Sequence, residues 1–302
     1  MNWCPEGPLT LIAGTPAGGG QDRPARALAA ALAEDSGEPA ISVTNIPGRG
    51  GSNGWDRLLC ESGNPQMIAI SGPTLITNRL TGVSDYDHQS FTPLVNLYTE
   101  YIAFVVAQTS PLTQAEDWLV RQKADPGTCR IALATALGNT NHLALAMVAH
   151  HGGIDPRSLA VTAHDSALFA VDAVIDGDAD IAAVTAVSAA KAMASGRLRA
   201  LAVSSPAAMS GAYSHVPTWV SLDVNCCIGT WRGVIAPPAI PPDARAYWCE
   251  RLRDAVRQPV WQDMLAAQYW SSSWIEGDTL SAFLDEEARS LRTALHNLGI
   301  IS

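Results

Sequence analysis

The chain has 302 residues, 47% of them hydrophobic and 16% charged, and a formal net charge of −10. That length supports two domains with separate cores, and that composition excludes a disordered or low-complexity chain. The acidic balance argues against nucleic acid and anionic membranes as partners, because such binding rests on clustered Lys and Arg; an anionic ligand has to be met by local groups.

The amino terminus, Met1-Asn-Trp-Cys-Pro-Glu6, lacks the basic and apolar regions of a secretory signal, and no apolar stretch precedes Cys4 as a lipid anchor would require. The expected location is the periplasm with the leader outside this sequence, or the cytoplasm where the gene encodes none. Apolar runs such as Tyr101 to Ala107 are far shorter than the roughly 20 residues of a spanning helix.

Leu9 to Ala13 reads as a strand, followed by the turn Pro16-Ala-Gly-Gly-Gly-Gln-Asp22 and a helix over Arg23 to Glu34 that Gly37 would end. Ile41 to Thr44 is a second strand, leading through Pro47-Gly-Arg-Gly-Gly-Ser-Asn-Gly54 to a short helix near Trp55 to Cys60. Met67 to Ser71 is a third, ending in Gly72-Pro73-Thr74. This βαβαβ order predicts an α/β, doubly wound sheet, in which ligands sit where strand ends meet helix starts. Glycine turns there expose backbone N–H groups beside the positive end of a helix and let a ligand approach the chain. Each fits a plain turn by itself; two in one unit point to an anion cradle. Asp22 fits either a helix cap or an acceptor for a ligand hydroxyl.

A second alternating region holds strands at Ile131 to Ala134, Leu159 to Thr162, Ile181 to Val184 and Leu198 to Val203, with helices over Asn141 to His151 and Ser166 to Ile175. Tyr101 to Ala107 and Trp231 to Ala236 bracket it and read as crossover strands. The expected first domain is therefore residues 1–106 and 232–302, with 107–231 inserted as the second. Near the carboxyl terminus, Asp243 caps a helix that Pro259 stops. A last helix carries Leu280, Phe283, Leu284, Leu291, Leu295 and Leu298 at helical spacing for packing, and Gly299 ends it.

Several chemistries are weakly supported. The first glycine turn has neither a Gly-Lys-Ser/Thr ending nor GxGxxG spacing. Gly50-Gly-Ser-Asn-Gly54 matches GxSxG, the nucleophile elbow of hydrolases, yet Ile46 to Arg49 separate Ser52 from the strand that should deliver it directly. The cysteines (Cys4, Cys60, Cys129, Cys226, Cys227, Cys249) show no CxxC spacing, and vicinal Cys226 and Cys227 fit small apolar residues better than a ring disulfide. No HExxH occurs among the histidines, and His150 and His151 leave different sides of a helix, so neither a metal nor another cofactor is expected. His142 falls in the first turn of its helix, beside possible caps at Asn139, Thr140 and Asn141; capping and ligand contact both fit.

Taken in order and spacing, a set of signatures over almost the whole chain resembles the periplasmic substrate-binding subunits of tripartite tricarboxylate transporters, the Bug receptors. They are Pro16-Ala-Gly-Gly-Gly-x-Asp22 with Ala25-Arg26, Asn45-x-Pro-Gly-x-Gly-Gly51, Pro73-Thr-Leu-Ile-Thr-Asn78, Thr99-Glu-Tyr101, Lys123-Ala-Asp-Pro-Gly127, Gly196 to Val203 and Trp231-Arg-Gly-Val-Ile-Ala-Pro-Pro238. Trp231-Arg-Gly with Phe283-Leu-Asp-Glu-Glu287 is similar to the citrate-type branch. The resemblance implies a type II, two-lobe periplasmic-binding-protein-like fold that closes on a small organic carboxylate without catalysis, acts as a monomer and serves membrane transporter subunits. Within it, one carboxylate rests on Pro16, Ala17, Gly18, Gly19, Asp22, Gly50 and Gly51, with Ser71 and Thr74 beside them; Arg49, at a position where relatives often have Ala, fits either a guanidinium turned toward solvent or an added partner for the carboxylate. The far end meets Asn139, Thr140, Asn141, His164, Asp165, Ser166 and Thr185. At Ala163-His-Asp-Ser166, and at Asn139 and Asn141, the chain departs from the family pattern, so the resemblance does not fix the far end. There His164 fits either a solvent-facing residue beside a capping Asp165 or Ser166, or a donor to the ligand that Asp165 orients. The alternatives to a transporter receptor are a serine hydrolase using Ser52 and a cytoplasmic carboxylate sensor.

Overall fold

A computed structural model describes residues 3–34, 39, 41–134 and 137–301. In chain order, β1 (Leu9–Ala13), α1 (Asp22–Ala33), β2 (Ile41–Asn45), α2 (Ser52–Leu59), β3 (Met67–Ser71) and α3 (Thr74–Leu80) form the first run. Then follow β4 (Thr92–Ala107), α4 (Ala115–Ala124), β5 (Arg130–Ala134), α5 (Thr140–His151), β6 (Ala160–His164), α6 (Ala167–Ile175), β7 (Ile181–Thr185), α7 (Ala186–Ala194) and β8 (Leu198–Val203). The chain closes with β9 (Gly229–Ala236), α8 (Pro242–Ala255), α9 (Pro259–Ala267), β10 (Ser271–Glu276) and α10 (Gly277–Asn297).

Two compact units result, one of residues up to Thr99 with Trp231–Leu291, the other of Glu100–Thr230 with the residues from Arg292 onward. Two of the three boundaries fall inside strands, β4 and β9, and the third inside α10. The sequence assigns all of 232–302 to the first domain, whereas the end of α10 groups with the second unit: a Cβ on Gly138 would lie 3.1 Å from Ile300 Cδ1.

In the first unit β1 pairs in parallel with β2 and β3, β9 runs antiparallel to β3, and β10 antiparallel to the early part of β4. Period-two alternation builds two cores. Leu9, Leu11, Ala13, Ile68 and Ile70 face Leu28 and Leu32 of α1, Trp248 and Leu252 of α8, and Trp261 and Leu265 of α9. Ile12 and Ala69, pointing the other way, meet Trp55, Leu58, Leu75 and Phe91. With both faces covered, β1 and β3 are largely apolar.

In the second unit β5 pairs in parallel with β6 and β7, and the late part of β4 runs antiparallel to β7 and β8. Buried Ile131, Leu133, Val184, Phe104, Trp118 and Trp219 contribute to its core.

Some elements differ from expectation. The strand read at Tyr101 to Ala107 begins at Thr92, because polar Asn96 and Thr99 are paired with Ser273 in the neighbouring strand. Pro259 opens α9 instead of merely stopping α8; its missing N–H costs nothing at a first helical position. Asp243 sits in the first turn of α8, whose N-cap is Pro241. At the other end, the Gly299 N–H donates to His296 O and the Ile300 N–H to Leu295 O, with Gly299 at φ 67°, which closes α10 where expected. The stop read at Gly37 lies outside the described residues. No disulfide joins the described cysteines; Cys129 and Cys226 are buried, Cys249 is half-buried, and Cys4, Cys60 and Cys227 are exposed. No helix of the described residues is long and apolar enough to cross a membrane, and no group of His, Cys, Asp and Glu among them is arranged to hold a metal ion.

Candidate functional site

Three turns of the first unit leave the carboxyl ends of β1, β2 and β3. In the first, Pro16, Ala17 and Gly18 are exposed and Gly19 is half-buried. The buried Asp22 carboxylate holds the turn from below: Oδ2 accepts the Gly18 N–H at 2.7 Å and Arg26 Nε at 3.0 Å, and Oδ1 accepts Asn45 Nδ2 at 2.8 Å. Burial raises the carboxyl's pKa, but the bonds from Arg26, Gly18 and Asn45 outweigh it and leave the group below the usual carboxylate range. Asp22 is thus a strut of the turn, and the alternative of a ligand acceptor finds its oxygens already engaged. Asn45 Nδ2 also donates to Thr15 O at 2.9 Å, tying the first turn to the end of β2. Among the described residues, the N–H groups of Ala17 and Gly20 donate to no backbone or side-chain acceptor.

The second turn carries positive φ at Gly48, Arg49, Gly50 and Gly51 (123°, 48°, 65° and 102°), a run that only glycines adopt without strain. It packs directly on the first: a Cβ on Gly14 would come within 2.7 Å of Gly51 Cα, and Gln21 Oε1 accepts the Gly14 N–H at 2.8 Å. Arg49, singled out in the sequence for a ligand role, donates from Nη1 to Asp56 Oδ2 at 3.1 Å and from Nη2 to Val83 O. Its guanidinium is therefore committed to the turn's own scaffold. Gly50 is exposed and Gly51 buried.

Ser52 has no accessible surface, and its Oγ accepts Asn78 Nδ2 at 2.8 Å. A nucleophile needs an exposed hydroxyl and a base within reach, so the GxSxG reading fails on geometry. Tyr86 Oη lies 2.7 Å from Asp56 Oδ1 and 2.9 Å from Ser52 O, and burial first, then the Asp56 carboxylate, raises its pKa. In the third turn Ser71 is buried at the end of β3, opposite Gly233 in register, and Thr74 begins α3 half-buried.

One residue at this edge was not singled out in the sequence. Arg232, on β9, reaches the first and third turns: Nε donates to Gly20 O at 3.2 Å, and a Cβ on Gly72 would lie 2.3 Å from Nη1. The signal was its place beside a glycine in Trp231-Arg-Gly, but nothing local says which way the side chain points. Its neighbour Trp231 faces the other way, where Nε1 donates to Glu287 Oε2 at 3.0 Å; burial pushes that carboxyl up to about 7.

In the second unit, the turns after β5, β6 and β7 are braced locally. Asn139 Oδ1 caps α5 by accepting the His142 N–H at 3.1 Å, its Nδ2 donates to Ala134 O at 2.6 Å, and the Gly138 N–H donates to His142 Nδ1 at 2.9 Å. Burial lowers the His142 pKa, which suits a ring nitrogen that serves as acceptor. Thr140 and Asn141 are buried in the first turn of α5. Ser166 caps α6 through the Phe169 N–H at 3.3 Å, so of the two cap candidates there it is Ser166, not Asp165. His164 ends β6 opposite Ala134, half-buried, and Asp165 is exposed; no hydrogen bond joins the two among the described residues. Thr185 Oγ1 lies 2.8 Å from Ser188 Oγ. The structure thus gathers the predicted residues into two groups, one at the strand ends of each unit.

Residues 24–300 match the tripartite tricarboxylate transporter family receptor, TctC. A TctC solute-binding protein from Polaromonas is 25% identical and superposes with a TM-score of 0.85, covering 97% of this chain and 99% of its own. A Rhodopseudomonas palustris protein solved with adipate is 19% identical, with a TM-score of 0.79 over 98% and 99% of the two chains. MatC from the same organism, solved with bound malate, is 17% identical, with a TM-score of 0.72 over 95% and 98%. At those identities the last two likenesses establish the shared α/β two-lobe fold.

Proposed function

We propose that this chain, which belongs to the tripartite tricarboxylate transporter receptor family, captures a small organic carboxylate in the periplasm and presents it to the membrane subunits of such a transporter or to a sensor. The observation that carries this reading is the pair of glycine turns of the first unit, touching at Gly14 and Gly51 and offering exposed backbone at the carboxyl ends of parallel strands. Backbone N–H groups at helix starts favour an anion without any net positive charge on the protein. In this reading the carboxylate lies on residues 16–19 and 50–51 with Ser71 and Thr74 of the first unit. Adipate and malate in the two Rhodopseudomonas palustris proteins support carboxylate as the ligand class. The buried, engaged Ser52 supports binding without turnover.

A thermal-shift panel of mono-, di- and tricarboxylates, hydroxy acids and aromatic acids tests it. The matching acid stabilises the protein by about 2.7 kcal/mol at one hundred times its dissociation constant. A panel of acids that leaves the melting temperature unmoved overturns the reading.

A further inference from the structure

One guanidinium of the first unit, that of Arg232, lies directly against the glycine turns. It is partly buried at the edge where the turns after β1 and β3 meet β9, yet it makes no ion pair with any described residue. Other arginines in this unit do find acids, as Arg26 does with Asp22, Arg49 with Asp56 and Arg253 with Glu276. A cation withdrawn from water without a counter-charge costs free energy, and that cost is recovered when an anion completes the site.

The surroundings are built to hold the group in one pose. Its Nε is fixed by Gly20 O at 3.2 Å. Gly72 makes the room: a side chain there would start 2.3 Å from Nη1, and one at Gly20 would start 3.2 Å from Nη2. With Nε engaged, the Nη1 and Nη2 edge remains as a parallel pair of donors, the arrangement that matches the two oxygens of a carboxylate. Alternation along β9 keeps Arg232 away from Glu287, which is bound by the adjacent Trp231.

We propose that Arg232 is the charged partner of the ligand carboxylate in the first unit, gripping it end-on through Nη1 and Nη2 beside the uncommitted Ala17 and Gly20 N–H groups. This rests on the carboxylate reading above and adds to it: the protein discriminates acids from their neutral amides and esters by a fixed charge as well as by backbone N–H groups. The site therefore takes an ionised carboxylate, and its affinity falls with salt.

The test uses the full chain and the strongest binder among acetate, malate, adipate and citrate, with dissociation constants measured calorimetrically at 50 and 500 mM sodium chloride. Arg232→Gln is expected to weaken binding at least tenfold, about 1.4 kcal/mol, and to flatten the salt dependence. Arg232→Lys, which keeps the charge and loses the fork, falls between. Gly72→Ala, which displaces the guanidinium without changing any charge, weakens binding as well. The ligand-free Arg232→Gln protein keeps or gains melting temperature, whereas an arginine with a merely structural role would lose stability along with affinity. If the wild type binds and Arg232→Gln stays within threefold of it, the assignment of Arg232 is overturned and the carboxylate reading stands. If the wild type binds neither these four acids nor any other acid of the thermal-shift panel, both fall together.

Discussion

The strand-end turns of the two units are built on opposite plans. In the first, side chains reach across the sequence: Asn45 holds Thr15 and Asp22, Asn78 holds Arg49 O and Ser52, and Arg232 holds Gly20. In the second, Asn139, His142, Ser166 and Thr185 bond within five residues of themselves. A turn closed by its own caps can change without disturbing its neighbours; three turns sharing struts must change together. The first unit's turns thus form one coupled scaffold, and the second unit's turns are separate local ones.

Removing a shared strut tests this most severely. Asp22→Ala removes the acceptor shared by the Gly18 N–H, Arg26 and Asn45 and is expected to cost about 2 to 3 kcal/mol in chemical denaturation. Combined with Asn45→Ala it should cost clearly less than the sum of the two single changes; strict additivity would break the picture of a coupled network.

The first unit also carries the stronger pH signature. The Glu287 carboxyl is raised to about 7 in the folded chain against an ordinary 4.5, so the folded state holds a proton that the unfolded state releases between those values. Its contribution to stability is complete below about pH 4.5 and is lost as pH rises through 7. Glu287→Gln, which keeps an acceptor for Trp231 Nε1, should gain about 2 to 3 kcal/mol over wild type between pH 5 and pH 8. Parallel stability curves for the two proteins across that range would refute the raised carboxyl.

The smallest effect belongs to the second unit. Asn139→Ala removes one N-cap and should cost about 1 kcal/mol, additive with changes elsewhere in the chain. A cost above about 3 kcal/mol, or coupling to Ser166→Ala, would make the second unit's turns a network too.

The same contrast decides what could be read from the sequence. The glycine turns announced themselves because positive φ and close backbone approach demand glycine locally, and Asn139 and Ser166 stood one step before helices that need caps. β3 and β8 have the bounds expected from Met67 to Ser71 and Leu198 to Val203, since each is a short, mainly apolar run. By contrast β10, Ser271–Glu276, is mostly polar and is a strand only through its antiparallel pairing with β4. The seven-residue α3, α4 with its exposed Val120 and the alanine-rich α7 lack a clean apolar stripe. The roles of Asp22, Arg49 and Arg232 were hidden for a common reason. Each is decided by a partner far along the chain or across a sheet, whether Asn45, Val83 or Gly20, and periodicity carries no record of such pairs.

The placement of the thiols has a consequence for how opening of the molecule can be timed. Burial pushes the Cys129 thiol up to about 11 and raises those of Cys226 and Cys249 as well, so all three stay protonated and unreactive while packed, whereas Cys4 and Cys60 stand exposed. Cys249 belongs to the first unit and Cys129 and Cys226 to the second. Each unit therefore carries its own chemical clock, which starts when that unit's packing lets a labelling reagent in, and the order in which the buried sulfurs are modified records which half of the chain loosens first.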